Sequence, residues 1–444
     1  MGVRAFWFIR DGVGRLAFFG MGWRSLGWAG VVFEMRVLVV NKFYYPRGGD
    51  CVVAMNTVRL LRERGHEVAV YAMRYELNVD GCLAVASEVR FDGGVGAKVA
   101  ALRRTLGLGD IVPGFGEVLR QFRPQVVHLH NIHSYLSPVV ARLAHEHGCR
   151  VVWTMHDYKL VCPAYTCLRD GAPCDQCVAG SKWGVVRHRC MKGSLAASVV
   201  AWLEALRWNR RTLQRCTHAF ICPSKFMATM LEKAGFDPER IKIVSNFDSS
   251  SSLSSSSSSS SLSSGSRNFN DPKSRSTSKS TSESLLYIGR LSPEKGVERL
   301  LEVAAQLPYR LLVAGSGPLD ESLRQRYGNC PNIEFLGQLN QQQVKNLLPQ
   351  VRATVLPSMW WENNPMSVIE SLCAGTPVVG TNMGGIPELL TPDNGIVTTI
   401  DHLGGAIDEA MHRTWDRDAI ASDARQRFSA DAHYRQLMQI YTEQ

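Results

Sequence analysis

The sequence predicts an α/β protein of two domains, each a doubly wound parallel sheet, with a cleft between the two domains. Short and almost continuously apolar strands alternate with segments of helical periodicity, as in parallel sheets that are covered on both faces. This alternation occurs twice, and a serine-rich stretch separates the two occurrences. The 444 residues are enough for two domains of ordinary size.

The first domain is predicted over residues 35–248. Its first strand lies in "RVLVVNKFY", and the helix that follows ends at Gly65. The further strands lie in "HEVAVYAM", "PQVVHLHN", "CRVVWTMHD" and "THAFICPS". A cysteine-rich loop over residues 162–190 follows the strand in "CRVVWTMHD".

The second domain is predicted over residues 285–425. Its strands lie in "LLYIGR", "YRLLVAGSG", "IEFLGQL", "ATVLPS" and "TPVVGT", and helices lie in "EKGVERLLEVAAQL" and "QQQVKNLLPQ". The last segment, "DARQRFSADAHYRQLMQIYTEQ", is predicted to be helical. Its part over residues 426–444 is expected to pack back on the first domain.

Two further segments carry no predicted fold. Residues 1–34 are rich in aromatic residues and glycine, and charged residues interrupt their apolar stretches, which excludes a signal peptide. A disordered or artefactual extension is predicted there, with a membrane-touching segment as the alternative. Residues 249–284 are predicted to be a disordered linker, because a serine tract cannot bury enough apolar surface to offset its ordering entropy.

The composition limits the partners of the chain. A formal charge of +10 and a pI near 9.1 suit anionic partners such as nucleotides or phospholipid head groups. No apolar run reaches eighteen residues, so no membrane-spanning helix is predicted. Twelve cysteines without a recognisable secretory signal argue against a disulfide framework.

The stretch "WWENNPMSVIESLCAG" predicts a ligand site at the carboxyl end of a strand. Asn364 is predicted as the N-cap and Pro365 as the first residue of a helix that ends at Gly375. The free N–H groups of this helix end suit a phosphate. Glu362 and Glu370 would lie on either side and accept hydrogen bonds from pairs of hydroxyls. The alternative is an ordinary core helix with a capping acid and a surface acid.

Three other loops at predicted strand ends suit the same anion. Arg290 and Lys295 share the short loop in "YIGRLSPEKG", where two cations would engage a pyrophosphate. Glycine turns, which permit close backbone approach, follow two other strands. Solvated or tight turns are the alternative for all three loops. The turn glycines are Gly48, Gly49, Gly315 and Gly317.

As a set, these motifs resemble family 4 retaining glycosyltransferases of the GT-B architecture, which has two Rossmann-like domains facing a cleft. The resemblance covers residues 35–444 apart from the serine tract. The stretches "HNIHSYLSPVV" and "HDYKLVCPAY" are similar to those of bacterial members in polysaccharide or exopolysaccharide assembly. The resemblance implies transfer of a hexose from a nucleoside-diphosphate sugar to a hydroxyl of a glycan or lipid-linked acceptor, without a catalytic cofactor.

The resemblance also implies a role for each matching residue. Arg290 and Lys295 would neutralise the departing diphosphate, and Glu362 would hold hydroxyls of the hexose. Glu370 would hold the ribose hydroxyls. The other implied donor-binding residues are Gly48, Gly49, Gly315, Gly317, Asn364, Met366 and Ser367, with the backbone at Leu336 and Gly337 meeting the base.

A histidine is implied on the first domain. His156, in "WTMHD", would bond the primary hydroxyl of the sugar and help to stabilise positive charge at the anomeric carbon. A satisfied core histidine is the alternative. His128, His130 and His133 are expected to support this histidine or to lie on the acceptor side.

The resemblance implies same-face substitution, in which the leaving phosphate accepts the proton of the acceptor hydroxyl. The cations and the helix end would replace a catalytic metal ion. One position departs from the family, since many relatives have glycine where Pro365 stands. This chain therefore lacks one backbone donor to the phosphates, and the N–H groups of Met366 and Ser367 are expected to compensate.

The cysteine-rich loop predicts either a structural zinc site or a set of unliganded thiols. Four cysteines, with one pair spaced as C-x2-C, could hold zinc with no open position for a substrate. The predicted ligands are Cys162, Cys174, Cys177 and Cys190.

Two other functions fit parts of the sequence. A sugar-nucleotide epimerase would have a similar fold, and a zinc-containing module could bind nucleic acid or protein. The basic residues are dispersed and lack interleaved aromatics, so no nucleic-acid partner is expected. The expected location is cytoplasmic, with peripheral contact at the inner face of the membrane.

Overall fold

The computed structural model describes residues 34–249 and 283–443. The predicted extension, apart from its last residue, and nearly all of the predicted linker lie outside the described residues. None of the helices within the described ranges is long and apolar enough to cross a membrane.

The first half is built on a seven-stranded parallel sheet, in the order β3-β2-β1-β4-β5-β8-β9. Its central strands carry valine, leucine and isoleucine on both faces, because helices cover both sides. A short antiparallel hairpin, β6 with β7, lies in the cysteine-rich loop. The strands are β1 (Arg36–Val40), β2 (Glu67–Met73), β3 (Leu83–Ala86), β4 (Val126–Leu129), β5 (Arg150–Thr154), β6 (Leu168–Arg169), β7 (Ala172–Pro173), β8 (Ala219–Cys222) and β9 (Ile241–Ile243).

Nine helices belong to the described part of this half. Ser194, Asn209 and Ser224 cap three of them with side-chain oxygens, which satisfies free N–H groups of the first turn. The helices are α1 (Gly49–Glu63), α2 (Val95–Thr105), α3 (Ile111–Phe122), α4 (Val139–Glu146), α5 (Gln176–Ala179), α6 (Gly184–Arg187), α7 (Leu195–Arg207), α8 (Arg210–Cys216) and α9 (Lys225–Lys233).

The second half is built on a six-stranded parallel sheet, in the order β12-β11-β10-β13-β14-β15. Its strands are β10 (Ser284–Ile288), β11 (Arg310–Ala314), β12 (Ile333–Gly337), β13 (Ala353–Leu356), β14 (Val378–Thr381) and β15 (Gly395–Thr398). Its helices are α10 (Val297–Ala304), α11 (Asp320–Tyr327), α12 (Gln341–Leu347), α13 (Met366–Cys373), α14 (Ile386–Leu389) and α15 (Leu403–His412). The predicted fold class, two doubly wound parallel sheets with helices, is confirmed.

Two predicted boundaries differ from the structure. Ser284, assigned to the linker, is buried and begins β10, because its backbone pairs with Arg310 of β11. The C-terminal segment is two helices, α16 (Arg417–Arg427) and α17 (Ala430–Thr442). Ser429 accepts a hydrogen bond from Ala432 N at 3.1 Å and so starts a new helix.

Helix α17 packs against the first sheet. Leu437, Ile440 and Tyr441 are buried among valines of β1 and β4. The hydroxyl of Tyr441 lies 2.6 Å from His128 Nδ1, and Arg150 Nε donates to Ile440 O at 2.7 Å. The C-terminal end of the chain therefore covers one face of the first half.

Candidate active site

The order of each sheet reverses beside a central strand, between β1 and β4 and between β10 and β13. Loops that leave the carboxyl ends of such neighbours diverge and open a crevice, which is where open α/β sheets bind ligands. Arg290 and Lys295 follow β10, and Glu362 follows β13. The reversal in the second sheet therefore brings these three predicted residues to one crevice.

Glu362 forms a buried ion pair with Lys295. The Glu362 side chain is 7% exposed, and its Oε1 accepts hydrogen bonds from Lys295 Nζ at 2.7 Å and from Ser358 Oγ at 2.5 Å. Burial alone would raise the pKa of Glu362, but the Lys295 ammonium and these hydrogen bonds hold it below the usual value. Glu362 is therefore an ionised acceptor at neutral pH.

Arg290 lies on the surface of the same loop. Its side chain is exposed, and its carbonyl oxygen accepts a hydrogen bond from the Tyr287 hydroxyl at 2.9 Å. The Arg290 guanidinium pairs with no carboxylate in the described ranges. The Lys295 Nζ also lies 5.0 Å from the centroid of the Trp360 ring. The loop thus offers one unpaired and one paired cation to an anion.

The start of α13 differs from the prediction. Pro365, in an extended conformation, is the N-cap, and Met366 is the first helical residue. Asn364 lies one position earlier and does not cap the helix, because its Oδ1 accepts hydrogen bonds from Asn246 N at 2.9 Å and Ser245 Oγ at 3.1 Å. The side chain predicted as a cap instead ties the second half to the end of the first. The N–H groups of Met366 and Ser367 make no hydrogen bond within the described residues.

Glu370 lies in the second turn of α13. Burial and, to a smaller extent, the nearby Asp248 raise its pKa to about 7, against an opposing effect of Lys345. The carboxylate is held close to half protonation at neutral pH. It could therefore either donate or accept a hydrogen bond to a hydroxyl.

The glycines of the loop after β11 are required by packing. Gly315 has φ of 144°, and a Cβ there would lie 1.9 Å from Gly289 O. A Cβ on Gly317 would lie 2.4 Å from Leu291 O. Gly315 N also donates to Gly337 O at 2.8 Å, so the loops after β10, β11 and β12 contact one another. The tight-turn interpretation accounts for this pair of glycines. Leu336 and Gly337 end β12 beside the pair.

The glycines at the start of α1 have a different environment. Gly48 is the N-cap of α1 with an extended backbone, and Gly49 is its first residue. A Cβ on Gly48 would meet only the Asp50 side chain, at 3.5 Å, and a Cβ on Gly49 would meet nothing within 4 Å. Neither the backbone conformation nor the packing requires glycine at these two positions. Close approach of a ligand to the backbone would explain why both are glycine.

Replacement of Gly49 by alanine is expected to leave stability unchanged and to lower kcat/KM for the donor at least about tenfold. The new methyl group would enter the open space at the end of α1, where a ligand would approach the backbone. Steady-state kinetics and chemical denaturation would measure the two effects.

Gly315→Ala is the matched control for Gly49→Ala. Its Cβ would collide with a backbone oxygen at a positive φ, so a loss of about 1–3 kcal/mol of stability is expected. If Gly49→Ala kept full kcat/KM, the loop before α1 would not contact the donor.

His156 lines a small polar cavity at the carboxyl ends of β4 and β5. Its Nε2 lies 2.9 Å from His130 Nδ1, so one of the two nitrogens donates to the other. Burial lowers the pKa of His156 to about 4, Asp50 opposes this shift, and Lys42 adds to it. The ring is neutral at pH 7 and can bond a hydroxyl without carrying charge. The cavity is lined by His130, Asn131, His133, Trp153, Thr154, Met155, His156 and Asp157.

Sequence reasoning missed the polar residues that surround His156. Asp50, in the first turn of α1, accepts a hydrogen bond from Asn131 Nδ2 at 2.9 Å and lies 3.7 Å from Lys42 Nζ. The sequence signal was present, since Asp50 directly follows the two glycines and Asn131 lies in "HLHN". Only their contact across 81 residues identifies them as one group.

The other three histidines divide between the cavity and the core. His130 Nε2 is buried and has no hydrogen-bond partner among the described residues. The His133 ring stacks on Trp153, with centroids 5.1 Å apart. His128 bonds Tyr441 and Thr154 through its two ring nitrogens, at 2.6 and 2.8 Å. His128 is therefore held in the core by both ring nitrogens and hydrogen-bonds the lining of the cavity only at Thr154, so its supporting role stays a prediction.

The loop before α13 is bound to the first half. Asn363 Nδ2 donates to Met155 O at 2.6 Å, and the Tyr158 hydroxyl donates to Trp361 O at 3.0 Å. Gly384 and Gly385 support the other side of this loop, where a Cβ on either would come within 2.1 Å of its backbone. These contacts bring the Glu362 loop next to the strand end that carries His156. None of the six residues that make these contacts was a predicted site residue.

The structure does not support a zinc site in the cysteine-rich loop. All twelve cysteines are free thiols, and the described residues contain no group of three or more His, Cys, Asp or Glu side chains arranged to hold a metal ion. Cys162 is buried in the core of the first half and Cys190 packs against the same core, while Cys174 and Cys177 are partly exposed. The zinc site at Cys162, Cys174, Cys177 and Cys190 therefore stays a prediction, with unliganded thiols as its alternative.

The sequence matches two family models. Residues 48–246 match the glycosyl transferase 4-like domain, and residues 269–427 match the glycosyl transferases group 1. The chain belongs to the GT4-like glycosyltransferases of the GT-B fold. No comparison favours the epimerase or the zinc-module alternative.

Relatives of this glycosyltransferase include proteins of Klebsiella pneumoniae and Escherichia coli. It is 23% identical to a protein of 42.6 kDa from the cps region of Klebsiella pneumoniae, over 80% of this chain and 87% of that one. It is 31% identical to the Escherichia coli O-antigen biosynthesis glycosyltransferase WbnH, over 30% of this chain and 39% of that one. The Anabaena protein Alr3699/HepE, solved with UDP and glucose, has a TM-score of 0.59 and 16% identity, over 93% of this chain and 100% of that one.

Proposed function

We propose that this glycosyltransferase moves a hexose from a nucleoside-diphosphate sugar to a hydroxyl of a glycan or lipid-linked acceptor in the synthesis of a cell-surface polysaccharide. The observation that carries the proposal is the ion pair of Glu362 and Lys295, which shares its crevice with the unpaired Arg290. Support for the substrates comes from the relatives, one of which is an O-antigen glycosyltransferase and another of which was solved with UDP and glucose.

The donor would be bound by groups of opposite charge. The diphosphate would contact Arg290, Lys295 and the free N–H groups of Met366 and Ser367 at the start of α13. Glu362, ionised and next to Lys295, would accept hydrogen bonds from hexose hydroxyls. Glu370 would bond the ribose from the same helix. Gly48 and Gly49 would approach the phosphates from the first half.

The transfer would proceed on one face of the sugar. The bond between the anomeric carbon and the diphosphate oxygen breaks, and its electron pair stays with that oxygen. The acceptor oxygen forms its bond to the same carbon on the same face, and its proton passes to the leaving phosphate. Stabilisation of the phosphate charge by fixed cations is the largest expected contribution to the rate.

His156 would act as a neutral hydrogen-bond partner of the sugar. Its pKa of about 4 keeps the ring uncharged, so it does not repel positive charge that develops at the anomeric carbon. The Nε2 nitrogen of His156 is hydrogen-bonded to His130, so its Nδ1 nitrogen would be the one that bonds the substrate. We also propose that the reaction needs no metal ion, because two cations and a helix end would face the diphosphate.

We further propose a cytoplasmic enzyme in peripheral contact with the inner face of the membrane. The formal charge of +10 supports contact with anionic lipid.

A donor screen tests the proposal. Purified protein is incubated with UDP- and GDP-hexoses with and without EDTA, nucleoside-diphosphate release is measured, and the product anomer is determined by NMR. One donor should be turned over at the same rate in EDTA, with retained configuration. Absence of turnover and binding with every donor would contradict the enzyme, inhibition by EDTA would contradict metal independence, and an inverted product would contradict retention.

A further inference from the structure

His130 directly follows β4 and is held against His156. Its side chain is buried, and its ring contacts those of His128 and His156, with centroids 4.3 and 5.1 Å away. Its N–H donates to Val40 O and its carbonyl oxygen accepts from Trp153 Nε1, both at 2.9 Å. The backbone of His130 is therefore fixed by β1 and β5, and its ring is packed against two other rings.

A single hydrogen bond joins two of these rings, between His130 Nδ1 and His156 Nε2 at 2.9 Å. Both rings are neutral at pH 7, because burial lowers the pKa of His156 to about 4 and that of His130 well below its ordinary value. A neutral imidazole carries one N–H and one bare nitrogen. The proton in this bond therefore determines the state of His156 Nδ1, which is an N–H if His130 donates and bare if His156 donates.

The other nitrogen of His130 decides between these two arrangements. His130 Nε2 is buried and has no hydrogen-bond partner within the described part of the chain. If His156 donated, the proton of His130 would lie on this nitrogen, as a buried N–H without an acceptor. In folded proteins a buried N–H without an acceptor is rarer than an acceptor with an unused lone pair. The arrangement in which His130 donates through Nδ1 is therefore favoured.

His130 differs in this respect from His128. Both ring nitrogens of His128 bond core residues, one to Tyr441 and the other to Thr154. The ring of His130 makes its one hydrogen bond within the described ranges to His156. A ring that only filled space in the core would not need a nitrogen at that place. The contact therefore points to an effect of His130 on the orientation and the proton of His156.

We propose that His130 is a positioning residue that acts through His156: it donates from Nδ1 to His156 Nε2 and so keeps the proton of His156 on Nδ1, the nitrogen that is left for the substrate. The hexose as substrate rests on the proposed function, whereas the position of the proton is a property of the free protein. In the complex, His156 Nδ1–H would donate to the oxygen of the primary hydroxyl. The site would then discriminate against a sugar without that oxygen, because this N–H would be left unpaired.

Nitrogen NMR of the free protein tests the position of the proton. The full chain is labelled with isotopic histidine, and the signals of His156 are identified by their loss in His156→Gln. The shift of a ring nitrogen differs strongly between an N–H and a bare nitrogen, so Nδ1 of His156 should be seen as protonated and Nε2 as bare. His130→Phe should convert His156 to a mixture of both forms, since no partner then fixes Nε2. A parent protein with His156 protonated on Nε2 would overturn the proposal.

Donor kinetics test the effect on the reaction. His130→Phe keeps a ring of similar size without nitrogens and should lower kcat/KM for the hexose donor about tenfold, the effect of one hydrogen bond. With the matching donor that lacks the primary hydroxyl, kcat/KM should change less than about twofold. His130→Asn places an amide N–H near the position of Nδ1 and should restore most of the loss. An equal loss with both donors, or full activity of His130→Phe with the hexose donor, would refute the positioning role.

His218→Phe is the matched control for His130→Phe. His218 directly precedes β8, at the opposite end of the same sheet, and its Nδ1 accepts a hydrogen bond from Val151 N at 3.0 Å. Loss of that bond should leave the ratio of kcat/KM between the two donors unchanged. Chemical denaturation of each variant separates these effects from loss of folding. If the parent protein turns over no donor, the proposed function fails, and the NMR measurement still decides the position of the proton.

Discussion

Replacement of Lys295 by methionine, or of Glu362 by glutamine, is expected to lower kcat with the donor by a factor of about 10² to 10³. Each change removes one charge from the crevice where the diphosphate and the hexose would bind, and fixed charges at a developing anion are worth this much in a site that excludes water. Steady-state release of nucleoside diphosphate measures the effect.

The same two changes separate catalysis from stability. Lys295→Met leaves the buried Glu362 carboxylate without its cation, which costs ~3–5 kcal/mol in a fully buried pair and less here because Lys295 is 22% exposed. The double variant removes both charges and should regain most of that stability, while kcat stays low. Chemical denaturation measures the recovery. Recovery of kcat in the double variant would mean that the pair is structural only.

A surface pair provides the control. Arg326 and Glu298 form an ion pair at 2.8 Å in the same half, with side chains 56% and 49% exposed. Arg326→Met with Glu298→Gln should change stability by less than about 1 kcal/mol. It should leave kcat unchanged, because the pair lies outside the proposed site.

The free energy of unfolding is expected to fall as the pH is lowered from 6.5 towards 4. Burial lowers the pKa of His128 to about 3, and those of His156 and His433 to about 4. His130 and His133 are shifted in the same direction, also by burial. The unfolded chain takes up protons near the ordinary histidine pKa of about 6.5, and the native protein does not.

The sign follows from proton uptake. A depressed histidine pKa gives stability that is complete above about pH 6.5 and is lost as the pH falls towards the native pKa, at up to ~1.4 kcal/mol per pH unit for each histidine. Glu370 offsets the effect of one histidine. Because its pKa in the folded protein is about 7, the folded protein binds this proton at a higher pH than the unfolded chain does. Several histidines outweigh one glutamate, so stability still falls.

Urea denaturation between pH 5 and 7.5 measures this dependence. His433→Gln should flatten the slope by up to ~1.4 kcal/mol per pH unit, because it removes one buried titrating ring. His188→Gln, at an exposed position, should leave the slope unchanged. A stability that does not change between pH 5 and 6.5 would contradict the buried, neutral state of these rings.

The fold was accessible to sequence reasoning because its signals are local. Apolar runs such as Val37–Val40 and Leu311–Ala314 mark strands that are buried on both faces. Predicted boundaries were wrong where a capping side chain interrupts a helical pattern. At Ser429 the N-cap divides the predicted last helix into two helices. The edge strands β3, β9 and β15 were missed because each is partly exposed and carries a weaker apolar pattern than the central strands.

Sequence by itself determined the two parallel sheets and the strand ends that carry Arg290, Lys295, Glu362 and His156, because periodicity and order along the chain are local properties. Tertiary structure alone decided which of these groups touch. It paired Glu362 with Lys295 across 67 residues and used Asn364 as a bridge to Asn246. It also placed His128 between Tyr441 and Thr154 in the core. Each outcome depends on partners far apart in sequence, whose meeting is set by the packing of elements and by the need to satisfy buried polar groups.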